Sequence, residues 1–149
     1  MMLFTFTLVK GHQVASGRAN DPRFVDGTIA AQLPFFNALG LSLRHYHRAT
    51  LNAEFDCKSI TLKQCDYHFK QVKWHPKMPA EDFKFCRCHI WLDKKSYSAL
   101  IYQPQAMTKT EHFQPQNQLE ILAPFIKDVR YGDTLTLDVL PSAITMVKG

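Results

Sequence analysis

Residues 83–102, FKFCRCHIWLDKKSYSALIY, carry the clearest structural signal in this chain of 149 residues. Phe83 to Leu92 is rich in aromatic and other apolar residues, which predicts a strand. Asp93-Lys94-Lys95 has the polar composition of a hairpin turn, and Tyr97 to Tyr102 is predicted to return as the second strand. An antiparallel hairpin is therefore the first element that the sequence indicates.

Further short strands are predicted on both sides of this hairpin. Apolar alternation or short apolar runs mark four of them: Leu3 to Val9, Thr50 to Phe55, Gln118 to Leu122 and Thr134 to Leu140. Many short strands and few helices favour a mainly β barrel over a parallel sheet built from βαβ units. The length of the chain fits one domain spanning residues 1–149.

One helix is predicted after Asp26-Gly27-Thr28. Its apolar residues recur at helical spacing, and they are Ile29, Leu33 and Phe36. Gly40 is a suitable C-terminal cap, whereas Pro34 predicts a kink or a break because an interior proline costs about 3 kcal/mol. The segment Ile60 to Val72 is ambiguous and has room for a second short helix.

The composition favours a folded protein with small anionic partners. Apolar residues make up 46% of the chain, charged residues 21%, and the net charge is +5. This basic surplus suits nucleotides and phosphates, whereas no basic stripe interleaved with aromatic residues indicates nucleic acid. The N-terminal residues do not resemble a signal peptide and no apolar run of about 18 residues occurs, so a cytoplasmic protein without a membrane partner is expected.

The four cysteines, Cys57, Cys65, Cys86 and Cys88, do not follow a zinc-binding pattern. Structural zinc sites usually combine two short pairs such as Cys-x₂-Cys, and Cys86-x-Cys88 has a different spacing. Core thiols are the commoner explanation, and no zinc is expected. Nothing in the sequence places a histidine beside a thiol for nucleophilic catalysis, and the usual ATP and NAD motifs are absent.

Three segments share their motifs, in the same order, with one enzyme family. The first segment is GHQVASG at residues 11–17. The second combines Phe24-Val25, Gln32, Leu39-Gly40-Leu41 and Thr50-Leu51-Asn52. The third is LEILAP at residues 119–124, followed by Gly132-Asp133. Together they resemble the CTP-dependent riboflavin kinases found mainly in archaea, and the match covers nearly the whole chain.

The resemblance implies a six-stranded cradle-loop barrel with one or two short helices. It also implies an enzyme that transfers the γ-phosphate of CTP to riboflavin, or a related alcohol, to give FMN with Mg²⁺ as cofactor. Thr50 and Asn52 match the family's metal-binding pair; their oxygens suit Mg²⁺, and residues i and i+2 of a strand share a face. Glu120 is the candidate catalytic residue, which would orient or deprotonate the acceptor hydroxyl.

Two loops complete the site that the resemblance implies. Nucleotide binding is expected in the loop after the first strand and just before Thr50, at Ser16, Gly17, Arg18 and Arg48. Flavin or phosphate binding is expected in the long loop before Gln118, at Thr110, His112 and Phe113. The ring of Phe113 is suited to stack on the isoalloxazine ring.

The chain departs from the family in the same regions. Ala19 and Asp21 replace glycines that let a loop approach a phosphate closely, and Arg48 replaces a proline. The alternative function is therefore a divergent, catalytically inactive barrel that binds a nucleotide, another small ligand or a protein.

Overall fold

The computed structural model describes residues 2–10, 28–47, 49–76, 79–104, 116–127 and 129–149. These ranges contain one α-helix, α1 (Thr28–Ala38), and one turn of 3-10 helix (Pro141–Ala143). The strands are β1 (Met2–Val9), β2 (Thr50–Glu54), β3 (Ser59–Leu62), β4 (Tyr67–Val72), β5 (Glu81–Leu92), β6 (Lys95–Pro104), β7 (Gln118–Leu122), β8 (Thr134–Val139) and β9 (Ile144–Val147). No helix within them is long and apolar enough to cross a membrane.

Six antiparallel strands close into a barrel in the order β5-β6-β7-β2-β1-β8, because β8 pairs back onto β5. The long strand β5 makes this closure possible, since its first part pairs with β4 and its last part, at His89–Trp91, pairs with β8. Strands β3 and β9 form a separate two-stranded sheet. The prediction of a mainly β, six-stranded barrel with a short helix is confirmed.

The β5–β6 hairpin follows the pattern that its sequence indicates. Asp93 and Lys94 form a two-residue turn between the paired residues Leu92 and Lys95. Asp93 has a φ of +56°, a left-handed conformation that aspartate tolerates better than most residues. The turn fixes the register of β5 against β6, which places Ser98 directly opposite His89.

The barrel interior is filled by one face of each strand. Its fully buried members include Phe6, Ala53, Ile90, Ile101, Ile121, Leu137 and Val139. Alternate residues on these strands point away from this core, because successive strand side chains face opposite sides. The outward face is therefore where side chains can meet α1 or a ligand.

Helix α1 covers part of this outward face. Its buried residues Ile29, Gln32 and Phe36 recur every three or four positions and so share one side of the helix. The Phe36 ring contacts Phe83 and Phe85 of β5 edge to face, at centroid distances of 4.9 and 5.0 Å. These contacts form a second apolar layer outside the barrel, which also includes Leu100, Tyr102 and Leu122.

The helix runs through Pro34, so the expected break is absent. Burial of Ile29 and Phe36 on either side contributes about 1.5–3 kcal/mol each, which offsets the cost of one proline of about 3 kcal/mol. The predicted cap at Gly40 is confirmed. Its φ is +100°, and the amide of Leu41 donates to the carbonyl of Phe36 at 2.9 Å.

The segment Ile60 to Val72, whose sequence is ambiguous, contains no helix. This segment contains β3 and β4, which are joined by a short connection. The register of β4 against β5 shifts between Phe69 and Val72, and Gln71 has a φ of +52°. This irregularity interrupts the alternation of buried side chains, which explains why the period of two was hard to recognise.

Candidate functional site

Three of the predicted site residues, Thr50, Asn52 and Glu120, meet on the outward face of the barrel. The neighbouring residues Leu51 and Ala53 pack into the barrel core, so Thr50 and Asn52 point outward. Glu120 on β7 lies directly opposite Asn52. The hydroxyl of Thr50 donates to Glu120 Oε1 at 3.1 Å, although the two residues are 70 positions apart in the chain.

Tyr102 and Gln32 extend this group of polar side chains toward the helix. Tyr102 lies directly opposite Glu120 on β6. Its hydroxyl donates to Oε1 of Gln32, a residue of α1, at 2.7 Å, and both side chains are buried. We call Thr50, Asn52, Glu120, Tyr102 and Gln32 the Glu120 cluster.

Two members of the Glu120 cluster, Gln32 and Tyr102, are not predicted as site residues from the sequence. The position of Gln32 between Ile29 and Phe36 does mark a polar group on an apolar helix face. Tyr102 had no signal of its own, because its position beside Glu120 follows from the pairing of β6 with β7. Strand pairing over this distance in sequence cannot be read from local patterns.

The electrostatics of the Glu120 cluster keep the Tyr102 phenol protonated. Burial raises its pKa well above the ordinary value, and the negative charges of Glu120 and Glu81 raise it further. Tyr102 is therefore a hydrogen-bond donor rather than a second anion beside Glu120.

The Glu120 cluster offers the kind of oxygen atoms that Mg²⁺ prefers. A hydroxyl from Thr50, an amide oxygen from Asn52 and a carboxylate from Glu120 are all hard ligands. The side chains of Thr50 and Asn52 therefore fit the metal that the resemblance implies, and these two residues would hold it with the Glu120 carboxylate beside them. Mg²⁺ in such sites usually keeps several waters and binds phosphate oxygens as well.

The other predicted site residues lie outside the described residues, and so do Ala19 and Asp21. They are Ser16, Gly17, Arg18, Arg48, Thr110, His112 and Phe113. The segments that carry them are joined to the strands of the Glu120 cluster. Segment 11–27 follows β1 shortly after Val9, which pairs with Asn52, and segment 105–115 joins β6 to β7.

The cysteines lie away from the Glu120 cluster and differ in exposure. Cys86 and Cys88 are buried in the barrel core, as expected for core thiols, whereas Cys57 is partly exposed and Cys65 is exposed. Burial raises the pKa of Cys86 to about 11 and raises that of Cys88 further. Within the described ranges, no three His, Cys, Asp or Glu side chains group closely enough to hold a metal ion.

No protein-family model matches the chain, and a search of curated proteins found no significant match.

Proposed function

We propose that the protein is a phosphotransferase that transfers the γ-phosphate of CTP to the terminal hydroxyl of riboflavin, or of a related alcohol, to give FMN. The observation that carries this proposal is the hydrogen bond from Thr50 to Glu120, with Asn52 directly opposite Glu120. A hydroxyl, an amide and a carboxylate thus share one partly buried face of the sheet.

The proposed role of Glu120 is that of general base. Its carboxylate accepts the proton of the acceptor hydroxyl while the hydroxyl oxygen forms a bond to the γ-phosphorus. The bond between the γ-phosphorus and the oxygen that bridges to the β-phosphate breaks, and CDP leaves with the electron pair. When bound at Thr50 and Asn52, Mg²⁺ would supply neutralisation of the phosphate charge.

The other members of the Glu120 cluster support this role by positioning. The hydroxyl of Thr50 donates to Glu120 Oε1, which orients the carboxylate. Tyr102 lies on the other side of Glu120, and its hydrogen bond to Gln32 connects this part of the sheet to α1. A base on strands held in this way needs little rearrangement during the reaction.

The competing function is a barrel that binds a ligand without transferring phosphate. Ala19 and Asp21, which replace family glycines, favour it because an aspartate near a triphosphate adds repulsion between like charges. Calorimetric titration with CTP, ATP and riboflavin, each with and without Mg²⁺, followed by an assay for FMN, separates the two functions. The phosphotransferase binds CTP in a Mg²⁺-dependent way, binds riboflavin and forms FMN.

Two variants assign the residues. Asn52→Ala is expected to abolish Mg²⁺-dependent CTP binding, because it removes a metal ligand. Glu120→Gln is expected to retain part of the CTP binding but to reduce FMN formation by about 10²–10⁴-fold, which is the usual contribution of a general base. Circular dichroism checks that both variants are folded.

Glu54→Gln is the matched control, because Glu54 is a carboxylate on the same face that accepts a hydrogen bond from Gln118 at 3.3 Å. It is expected to leave FMN formation within a few-fold of the parent. Unchanged Mg²⁺-dependent binding in Asn52→Ala contradicts the metal assignment. Binding of CTP or riboflavin without any FMN supports the binding module, and binding of neither contradicts the proposed function.

A further inference from the structure

A concave region lies on the outward face of β5 and β6. It encloses about 270 Å³, and its polar lining comes mainly from Tyr46, Tyr67, Arg87, His89 and Ser98. Three leucines supply an apolar wall, namely Leu41, Leu43 and Leu100. We call it the Arg87 groove. The buried Leu100 separates Ser98 from Tyr102 along β6, so apolar side chains lie between this groove and the Glu120 cluster.

Strand register brings the polar residues of the Arg87 groove together. Arg87 and His89 are two positions apart on β5. They point outward because the residues that alternate with them, Cys86 and Cys88, point into the barrel core. Ser98 on β6 lies directly opposite His89. The segment that follows α1 forms the other wall, where the amide of Tyr46 donates to the carbonyl of Leu43 at 2.9 Å.

The guanidinium of Arg87 is placed to bind an anion. Its Nη2 donates to the hydroxyl of Tyr67 at 2.8 Å, and its central carbon lies 5.4 Å from the centroid of the Tyr67 ring. Arg87 is exposed, and within the described ranges its guanidinium makes no other hydrogen bond or ion pair. A planar guanidinium with several N–H groups available matches phosphate or carboxylate oxygens.

The groups around Arg87 add donors and little negative charge. His89 presents one ring N–H even when neutral, and Ser98 presents a hydroxyl. Two carboxylates are close by, but neither lines the groove. Asp66 accepts the backbone N–H of Arg87 at 2.7 Å, and Asp138 lies opposite His89 on β8. The net charge of +5 also favours an anionic ligand.

The remaining surface of the Arg87 groove suits a flat ring. Tyr46 is partly buried beside Leu41 and Leu43, and burial raises the pKa of its phenol, so the ring stays uncharged. Aromatic side chains stack on planar ligands, and the leucines add apolar contact. Pockets for drug-sized ligands run from about 300 Å³ upward, so this smaller groove suits one ring and one phosphate.

We propose that the Arg87 groove is a second binding site, for a small phosphorylated compound that carries a planar ring. Arg87, His89 and Ser98 bind the phosphate, and Tyr46 contacts the ring. The ligand is either a free mononucleotide or one nucleotide of a single strand, since both present the same chemistry. This site is separate from the proposed phosphotransfer site at the Glu120 cluster, because the buried side chain of Leu100 lies between the two.

The test is calorimetric titration of the full chain with cytidine monophosphate in the presence of EDTA, which removes any contribution from Mg²⁺. Cytidine, inorganic phosphate and a short single-stranded oligonucleotide are titrated in parallel. Cytidine monophosphate is expected to bind more tightly than either cytidine or inorganic phosphate. Arg87→Gln is expected to weaken binding at least tenfold because it removes a charged donor, and Tyr46→Leu is expected to weaken it less.

Arg130→Gln is the matched control, because Arg130 is an exposed arginine outside the Arg87 groove. It and Asn52→Ala are expected to bind cytidine monophosphate like the parent. If the oligonucleotide binds in a way that depends on Arg87 and the free nucleotide does not bind, the ligand is a nucleotide within single-stranded nucleic acid. The proposal is overturned if neither ligand binds, if folded Arg87→Gln binds like the parent, or if Asn52→Ala removes binding.

Discussion

The hydrogen bond between Tyr102 and Gln32 joins the helix to the barrel beside Glu120. Both side chains are buried, so neither polar group can exchange its partner for bulk water. A buried group that loses its partner costs about 1–3 kcal/mol, whereas removing both partners together is often close to neutral. This difference makes the energetic role of the pair measurable.

We expect Tyr102→Phe to lower the free energy of unfolding by about 1–3 kcal/mol, because Gln32 then keeps a buried acceptor without a donor. The double variant Tyr102→Phe with Gln32→Met should recover most of this loss. Urea titrations measure both values. Tyr97→Phe, the same change on the same strand, is the control and should shift stability by less than about 0.5 kcal/mol. Equal stability of Tyr102→Phe and the parent would contradict the argument.

At the residue scale, the sequence predicted only those site relations that depend on local spacing. Thr50 and Asn52 were expected on one face because they are two positions apart on a strand, and the structure confirms this arrangement. The meeting of Glu120 with Asn52 and Tyr102 depends on how β7 pairs with β2 and β6. Register of this kind is set by tertiary packing, which no local pattern contains.

At the scale of elements, the end of α1 is defined by a pair of hydrogen bonds around Gly40. The amide of Gly40 donates to the carbonyl of Asn37 at 3.1 Å, and that of Leu41 donates to Phe36 at 2.9 Å. This is the Schellman arrangement, and the buried pair Phe36 and Leu41 provides its usual apolar contact. It turns the chain from α1 into the wall of the Arg87 groove.

We expect Gly40→Ala to destabilise the protein by about 1 kcal/mol, because a side chain makes a φ of +100° unfavourable. A Cβ at this position would meet no atom within 4 Å, so the loss comes from backbone conformation rather than from a clash. Gly40→Asn should lose less, since asparagine adopts left-handed conformations more readily. Thermal unfolding of the three proteins checks the order, and an alanine variant as stable as the parent contradicts it.

Elements with one uninterrupted period were predictable, and those with an interruption were not. Thr134 to Val139 alternates buried and less buried residues, as its sequence does, and β8 was expected almost to the residue. The irregularity at Gln71 breaks the alternation of β4, so its sequence was ambiguous. Pro34 does not end α1, because Ile29 and Phe36 pack in the same apolar layer as residues of distant strands, and this packing holds the helix together.

At the scale of the whole molecule, the barrel wall separates two apolar layers that both contain weakly acidic groups. Cys86 and Cys88 lie in the inner layer, and Tyr102 lies in the outer layer. Burial raises the pKa of each group above its ordinary value, to about 11 for Cys86 and higher still for Cys88. All three are therefore protonated in the folded protein under conditions in which the unfolded chain begins to lose those protons.

The sign of the resulting pH dependence follows from linkage. Unfolded thiols ionise near pH 9.0, whereas the folded thiol of Cys86 ionises near pH 11, so stability is fully present below about pH 9 and falls as the pH rises toward 11. The fall in stability is at most about 1.4 kcal/mol per pH unit for each thiol.

Urea unfolding between about pH 8 and pH 11 measures this fall in the free energy of unfolding. Cys86→Ala should show a shallower fall than the parent, because it removes a buried thiol whose pKa is raised. Parallel slopes for Cys86→Ala and the parent would mean that Cys86 ionises alike in both states, and its burial would then have no bearing on the alkaline limit of the fold.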